Sequence, residues 1–287
     1  MKLCFSLPNF FEFFKINEVL GKISRNNPEY FKADLCFDSV HGSYPYCYWN
    51  GDSNSNKGPG ALYHDFVNCG LSSFSPLRLN MSNVNLIEED FLNVMANIIL
   101  RENMSGSSYV ELSNLKLMEY IDEKYPYYKY IFSKNAHFAH PFTAEIINGI
   151  IESGKFSLIE LPLELNKDFE FLKSLSSRKN IEIQVNSKCP LGCSQYKHCS
   201  LANQRKQYDF SGYNIYASCN KCENNISIDE CISIEEILNT YAPLGISHYK
   251  IDGFESDKAY IDFILHYFFK DEYRNNVIEI LVKEGVL

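Results

Sequence analysis

Cysteine is concentrated in one part of the chain, because six of the ten cysteines lie between Cys189 and Cys231. Two pairs have short spacings: Cys189 and Cys193 form a CxxxC motif, and Cys219 and Cys222 form a CxxC motif. Two thiolates from one tight loop can reach one metal ion or one cluster edge, and four thiolates hold either zinc or a 4Fe–4S cluster. The spacing therefore points to a metal site, and it leaves iron–sulfur, zinc and unligated thiols open.

Two neighbouring residues make the choice of ligands ambiguous. Cys199 and His198 follow the first cysteine pair closely, so Cys199 is a rival for one of the four ligand positions. The segment also carries basic side chains that would offset the negative charge of a thiolate-bound cluster. They are Lys188, Lys197, Arg205 and Lys206.

The rest of the chain alternates short β-rich runs with segments of helical period, which is typical of parallel α/β folds. Eight runs predict strands: Lys2–Leu7, Ala33–Asp38, Leu77–Met81, Tyr109–Leu112, Tyr128–Ser133, Ser157–Leu161, Ile181–Val185 and His248–Asp252. Eight such units over 287 residues predict a TIM-like (β/α)8 barrel, as a single α/β domain over 1–287. The cysteine-rich region, 186–232, is then an insertion after strand seven. An open doubly wound sheet is the alternative.

Capping residues place several of the helices between these strands. Asn114 is predicted to cap a helix over Leu115–Glu123, and Thr143 to begin a helix that Gly154 ends. Asn166 precedes the next helical run. Each of these side chains is expected at a helix boundary.

In a barrel of this kind, function lies where the strands end at their carboxyl termini. The strand ends in this sequence are polar, and together they predict a polar mouth that binds substrate. The candidate substrate-binding residues are Asp38, Asn80, Ser113, Asn135, Asn186 and Asp252.

The connection after strand two is longer than usual and rich in aromatic residues. Its aromatic side chains are Tyr44, Tyr46, Tyr48 and Trp49, the last being the only tryptophan. They form either a lid over the mouth or a loop packed against the barrel.

Composition and charge restrict the class of protein. The net charge is -9, which disfavours broad nucleic-acid binding because contacts to phosphates need a basic surface. The amino terminus has charged residues where a signal peptide would be apolar, and no run approaches a membrane span. We therefore expect a cytoplasmic protein with reduced thiols and no membrane association.

Several segments resemble one known family. The stretch VNSKCPLGC, which contains Cys189 and Cys193, resembles the N-x-x-C-x-x-x-C signature of the collagenase-like peptidase family, the TIM-barrel U-family peptidases. VELSNLKLMEYIDEKYPYYKYIFSKNAHF, LPLELNKDFEFLKSL and ISIEEILNTYAPLGISHYKIDGF resemble its fourth-to-fifth, sixth and closing strand units. The likeness extends from about Ala33 to about Gly253, and the cysteine pattern is its specific part.

The resemblance implies a TIM-like barrel and a 4Fe–4S cluster, with zinc as the alternative metal. By position, the implied ligands are Cys189, Cys193, Cys219 and Cys222. Some family members take part in oxygen-independent hydroxylation, and some work in pairs. We therefore expect an iron–sulfur oxidoreductase or hydroxylase-like enzyme that acts on a small molecule or peptide, with a partner subunit.

Other chemistries are compatible with the sequence to different degrees. A zinc-bound scaffold and a peptidase are the two alternatives that we carry. A GxSxG elbow, an HExxH motif, a P-loop and a GxGxxG loop do not occur. The CxxxCxxC motif of radical S-adenosylmethionine enzymes does not occur either.

The ligand assignment is testable with one substitution. If Cys189, Cys193, Cys219 and Cys222 hold the cluster, Cys199→Ser retains the wild-type iron content, because the fifth thiol makes no bond to iron. Iron and acid-labile sulfide per chain are measured after anaerobic purification. Loss of both from Cys199→Ser would show that Cys199 is a ligand.

Overall fold

The strands close into a barrel in a computed structural model that describes residues 1–8, 12–43, 47, 49, 76–83, 94–102, 108–187, 201, 231–254 and 256–287. The strands are Leu3–Leu7 (β1), Leu35–Gly42 (β2), Leu77–Met81 (β3), Tyr109–Leu112 (β4), Lys129–Phe132 (β5), Leu158–Glu160 (β6), Ile181–Gln184 (β7) and His248–Lys250 (β8). Each strand pairs in parallel with the next, and β8 pairs with β1. This closure confirms the predicted (β/α)8 barrel and rules out the open sheet.

Helices surround the strands. The α-helices are Phe14–Asn26 (α1), Val94–Glu102 (α2), Leu115–Lys124 (α3), Ala144–Ser153 (α4), Phe169–Ser174 (α5), Ile234–Glu236 (α6), Asp257–Phe268 (α7) and Arg274–Lys283 (α8). A π-helical stretch, Ile237–Tyr241, continues α6. Short 3-10 helices cover Pro28–Tyr30, Lys134–Phe138, Leu163–Leu165, Arg178–Asn180 and Asp271–Tyr273. Among the described helices, none is long and apolar enough to cross a lipid bilayer.

Two of the predicted helix starts are confirmed. Asn114 accepts hydrogen bonds from the backbone N–H groups of Lys116 and Leu117, at 2.9 and 3.4 Å. Thr143 accepts one from Ile146, and Gly154 ends the same helix with a φ of 65°, in the left-handed region that glycine tolerates.

Asn166 precedes α5, as predicted, and ends the short 3-10 helix Leu163–Leu165, but it does not cap α5. Asp168, not Asn166, caps α5 by accepting a 2.9 Å hydrogen bond from the N–H of Phe171. Asn166 is buried instead, and its amide donates to the backbone oxygen of Gln184 at 2.9 Å. It links the turn after β6 to β7.

The apolar core lies between the strands and the helices, not in the barrel lumen. Phe5 of β1 points outward and packs against Tyr267 and Phe268 of α7, with ring centroids 6.2 and 5.0 Å apart. Side chains alternate along a strand, so the neighbouring Ser6 points inward. The outward residues are mostly apolar and most inward residues are polar, although the apolar Ile131 and Leu158 are in register with the lumenal Glu111 and also face inward.

The lumen is filled by ion-paired side chains. Arg78 of β3 donates from Nε to Glu111 at 2.9 Å and from Nη1 to Glu182 at 2.7 Å. Lys250 of β8 lies 3.0 Å from Glu111 and 3.1 Å from Glu160. All five side chains are at most 2% exposed. They join strands on opposite sides of the barrel through charge-assisted hydrogen bonds.

The end of strand two differs from the sequence-based expectation. The strand was predicted to end at Asp38, but β2 continues to Gly42. A register shift between Phe5 and Ser6 of β1 accommodates the longer strand. As a result, His41 and not Asp38 reaches the carboxyl end of the barrel.

The lumenal ion pairs predict that substituting a buried lysine and substituting an exposed lysine differ in their effect on stability. Lys250→Ala should lower the free energy of unfolding by about 3–5 kcal/mol, because the buried network then holds three carboxylates and only two cations, Arg78 and Lys134. Lys173→Ala, which removes an exposed lysine 2.8 Å from Glu170, should change it by less than about 0.5 kcal/mol. Urea unfolding of both variants and the wild type measures this difference. Equal losses of unfolding free energy in the two variants would mean that the lumenal ion pairs contribute little to stability.

Candidate active site at the carboxyl end of the barrel

Three of the predicted substrate-binding residues meet around one buried serine. The hydroxyl of Ser82 donates to the side-chain oxygen of Asn80 at 2.6 Å, and the amide of Asn135 donates to Ser82 Oγ at 2.8 Å. Ser113 Oγ donates to the backbone oxygen of Ser82 at 3.1 Å. The structure therefore brings Asn80, Ser113 and Asn135 together at the carboxyl ends of β3, β4 and β5.

Two more predicted residues pair with each other on the far side of the mouth. Asn186 donates from its amide to the backbone oxygen of Asp252 at 2.6 Å and accepts from the backbone N–H of Asp252 at 2.9 Å. The carboxylate of Asp252 accepts from the N–H of Gly253 at 2.7 Å. These bonds fix the segment after β8 against the segment after β7.

His41 faces this pair from the end of β2. Its Nδ1 is 2.9 Å from the hydroxyl of Ser6, and its Nε2 lies 3.8 Å from Asp252 Oδ1, beyond hydrogen-bond length. The Nε2 atom is buried and has no hydrogen-bond partner among the residues that the structure describes. A buried ring nitrogen without a partner is available to a bound ligand.

The charges around His41 set its protonation state. Burial lowers the pKa of His41, and the positive charge of Lys250 lowers it further. Burial alone would raise the pKa of Asp252, but the neighbouring His41 and Lys250 hold it well below its usual range. At neutral pH the mouth therefore presents a neutral imidazole beside an ionised carboxylate.

The mouth also contains a cation near His41 and Asp252. Lys134, directly after β5, donates to Glu160 at 2.9 Å and to the side-chain oxygen of Gln184. Its side chain is 13% exposed, so the ammonium group lies between the lumenal ion pairs and the solvent at the mouth. It is placed to orient an anionic group of a ligand.

Two of the lumenal glutamates, Glu111 and Glu160, differ in their affinity for protons. Burial and the charge of Glu111 raise the pKa of Glu160. Burial would also raise the pKa of Glu111, but Lys250 and Arg78 lower it well below its usual range. Of these two carboxyl groups, Glu160 therefore takes up a proton first.

Asp38 does not lie with the other predicted residues. Its Oδ2 is 3.1 Å from Nδ1 of His248, the first residue of β8, so Asp38 is at the amino end of the barrel. Cys4 and Cys36 lie there too and are partly buried. The expectation that Asp38 lies at the mouth was wrong because β2 extends beyond it to Gly42.

The cysteine-rich segment is described at its two ends and at Leu201. Cys189, Cys193, Cys199, Cys219 and Cys222 lie outside the described residues. At the ends, Ile232 donates from its backbone N–H to the oxygen of Val185 at 2.9 Å, and Tyr267 donates to the oxygen of Ile232 at 2.7 Å. The segment therefore leaves and rejoins the barrel at one point, the carboxyl end of β7.

The described part of the aromatic connection packs against the barrel. Trp49 is 4% exposed and meets the ring of Tyr120 in α3 edge-on, with centroids 5.5 Å apart. Its backbone oxygen accepts a hydrogen bond from the N–H of Asn83. Trp49 is thus a packing residue, and Tyr44, Tyr46 and Tyr48 lie outside the described residues.

Neither the lumenal charges nor the proximity of His41 to Asp252 was predicted from the sequence. A charged residue inside a short, mostly apolar strand is the available signal, as in YVEL for Glu111 and IEIQ for Glu182. Such a residue must face a partner, since an unpaired buried charge is costly. No comparable signal distinguishes His41 from a surface histidine.

The lowered pKa of His41 predicts a pH dependence of stability. Between that pKa and about 6.5, the unfolded chain binds a proton that the folded chain does not, so stability falls as the pH falls through this range. His41→Gln should remove this part of the slope. Ser6→Ala removes the hydroxyl partner of Nδ1 but keeps the imidazole, and should retain it. Urea unfolding from pH 5 to 8 measures both slopes, and an unchanged slope in His41→Gln would contradict the assignment.

Comparison with known proteins finds similarity to a solved structure. No protein-family model and no curated protein matches the chain. The chain is similar to the solved structure of the U32 peptidase Mk0906, with 12% sequence identity and a TM-score of 0.49. The match covers 89% of this chain and 94% of that chain.

Proposed function

We propose that the chain is an iron–sulfur enzyme that acts on a small molecule or peptide at the carboxyl end of its barrel, like the oxygen-independent hydroxylase branch of the collagenase-like peptidase family. One observation carries the proposal. Both ends of the cysteine-rich segment are joined at the carboxyl end of β7, through the bond between Val185 and Ile232. A metal held by that segment would therefore be tethered beside the mouth.

The chemistry of the donor set fits such a group. Cys189, Cys193, Cys219 and Cys222 are four thiols in two close pairs, which suits a 4Fe–4S cluster or zinc. When bound, an iron–sulfur cluster would supply electron transfer or a binding position for a substrate oxygen. A cytoplasmic location, where thiols stay reduced, is part of the proposal. So is a partner subunit, which the resemblance implies.

Other residues at the mouth offer groups that would bind a substrate and accept a proton from it. Asn80, Ser113 and Asn135 offer hydrogen-bonding groups on one side of the mouth, and Lys134 offers a positive charge for a carboxylate or similar anion. His41 is neutral and its Nε2 lacks a partner, so it can accept a proton from a bound group. The ionised Asp252 then stabilises the imidazolium that results.

Metal analysis of the anaerobically purified chain tests the proposal. We expect brown protein with about four iron and four sulfide per chain, because a 4Fe–4S cluster needs that composition. The double variant with Cys189→Ser and Cys193→Ser should lose both. Cys231→Ser, which removes a cysteine close to α6, is the matched control and should retain them.

Two other outcomes would contradict the proposal. Colourless protein that contains zinc and keeps it in air would support the zinc-bound scaffold instead. Cleavage of gelatin by protein from which all metal has been removed would support the peptidase.

A further inference from the structure

We propose that the amino end of the barrel holds a second metal site, for a single zinc ion, formed by Cys4, Asp38 and His248 with Cys36 as the fourth ligand. This site is independent of the cysteine-rich segment and lies at the opposite end of the strands. It would join β1, β2 and β8, the strands between which the barrel closes.

The first observation is the convergence of three donor types. The sulfur of Cys4, a carboxylate oxygen of Asp38 and a ring nitrogen of His248 all lie within 4.8 Å of one another. A tetrahedral zinc site with bonds of about 2.0–2.3 Å has ligand atoms about 3.3–3.8 Å apart. Shifts of about 1 Å or less therefore bring these three atoms to bonding distance.

The second observation is a further thiol directly beside this group. The sulfur of Cys36 is 3.2 Å from that of Cys4, because the two residues are direct partners in the pairing of β1 with β2. Two thiols, one imidazole and one carboxylate match the sulfur, nitrogen and oxygen ligands that zinc takes. Calcium and magnesium prefer oxygen ligands alone and fit this set poorly.

The direction of the side chains is fixed by the strands. His248 lies two residues before the lumenal Lys250, so both point into the barrel. The Oδ1 atom of Asp38 accepts a 3.2 Å hydrogen bond from Ser39, which leaves Oδ2 facing His248 at 3.1 Å. Such a bond to the far oxygen orients a carboxylate ligand. The His248 and Asp38 side chains are 26% and 29% exposed, so an ion can enter from solvent.

The position of the site implies a structural effect. β1 and β8 are the first and last strands, and three residues of one strand pair with three of the other. An ion bound to Cys4 and His248 would link these two strands directly. Because zinc would bind the folded chain preferentially, it should raise the thermal midpoint, by about 5 °C at a hundredfold excess over its dissociation constant.

Zinc titration of the full-length chain tests this proposal. We expect Cys4→Ser, Asp38→Asn and His248→Gln each to bind about one zinc fewer per chain than the wild type, or to bind that zinc at least about tenfold more weakly. Cys231→Ser should bind as the wild type does. Cobalt(II) in place of zinc should give a thiolate-to-metal absorption band that Cys4→Ser weakens and Cys231→Ser retains.

Two further results would contradict the proposed zinc site. Metal retained at the cysteine-rich segment and a wild-type circular dichroism spectrum would show that a variant is folded. If such folded variants bind as much zinc as the wild type, the site does not exist. A Cys4–Cys36 disulfide in protein purified without oxygen, together with unchanged zinc content in His248→Gln, would identify a redox pair instead.

Discussion

The requirement that charges inside the barrel be paired governs the rest of this structure. Arg78, Lys250 and Lys134 face Glu111, Glu160 and Glu182 in a space from which water is largely excluded. None of these groups can be accommodated alone, because an unpaired ion in such surroundings would cost several kcal/mol. The register of the strands must therefore bring each charge opposite its partner.

This requirement links stability to the chemistry of the mouth. Lys250 neutralises Glu111 and also disfavours a positive charge on His41, which keeps that imidazole neutral. Lys134 belongs to the ion-paired network and also lies beside the mouth. A barrel with an aliphatic lumen would have neither effect, so the polar interior provides the electrostatic conditions for a site at its carboxyl end.

The eight strands and the barrel were predictable because each strand is a short apolar run between turn or cap residues, and such patterns depend on local sequence. Asn80, Ser113 and Asn135 were also predictable, because the ends of parallel strands meet at one edge. Asp38 was misplaced because the register shift between Phe5 and Ser6 depends on contacts between strands distant in sequence. The pairing of His41 with Asp252 depends on that same shift. The ion pairs follow from three-dimensional proximity, which strand patterns do not encode.

The backbone hydrogen bond between Ile232 and Val185 has a consequence for how this protein can change over evolution. Since the two ends of the intervening segment are adjacent, its length does not affect the spacing of β7 and β8. A longer loop adds only a slowly growing entropic cost. Insertions and deletions there are tolerated by the barrel, and the segment can diverge or be exchanged as a cassette. Relatives of this chain are therefore expected to share the barrel scaffold while differing in the length and sequence of this segment.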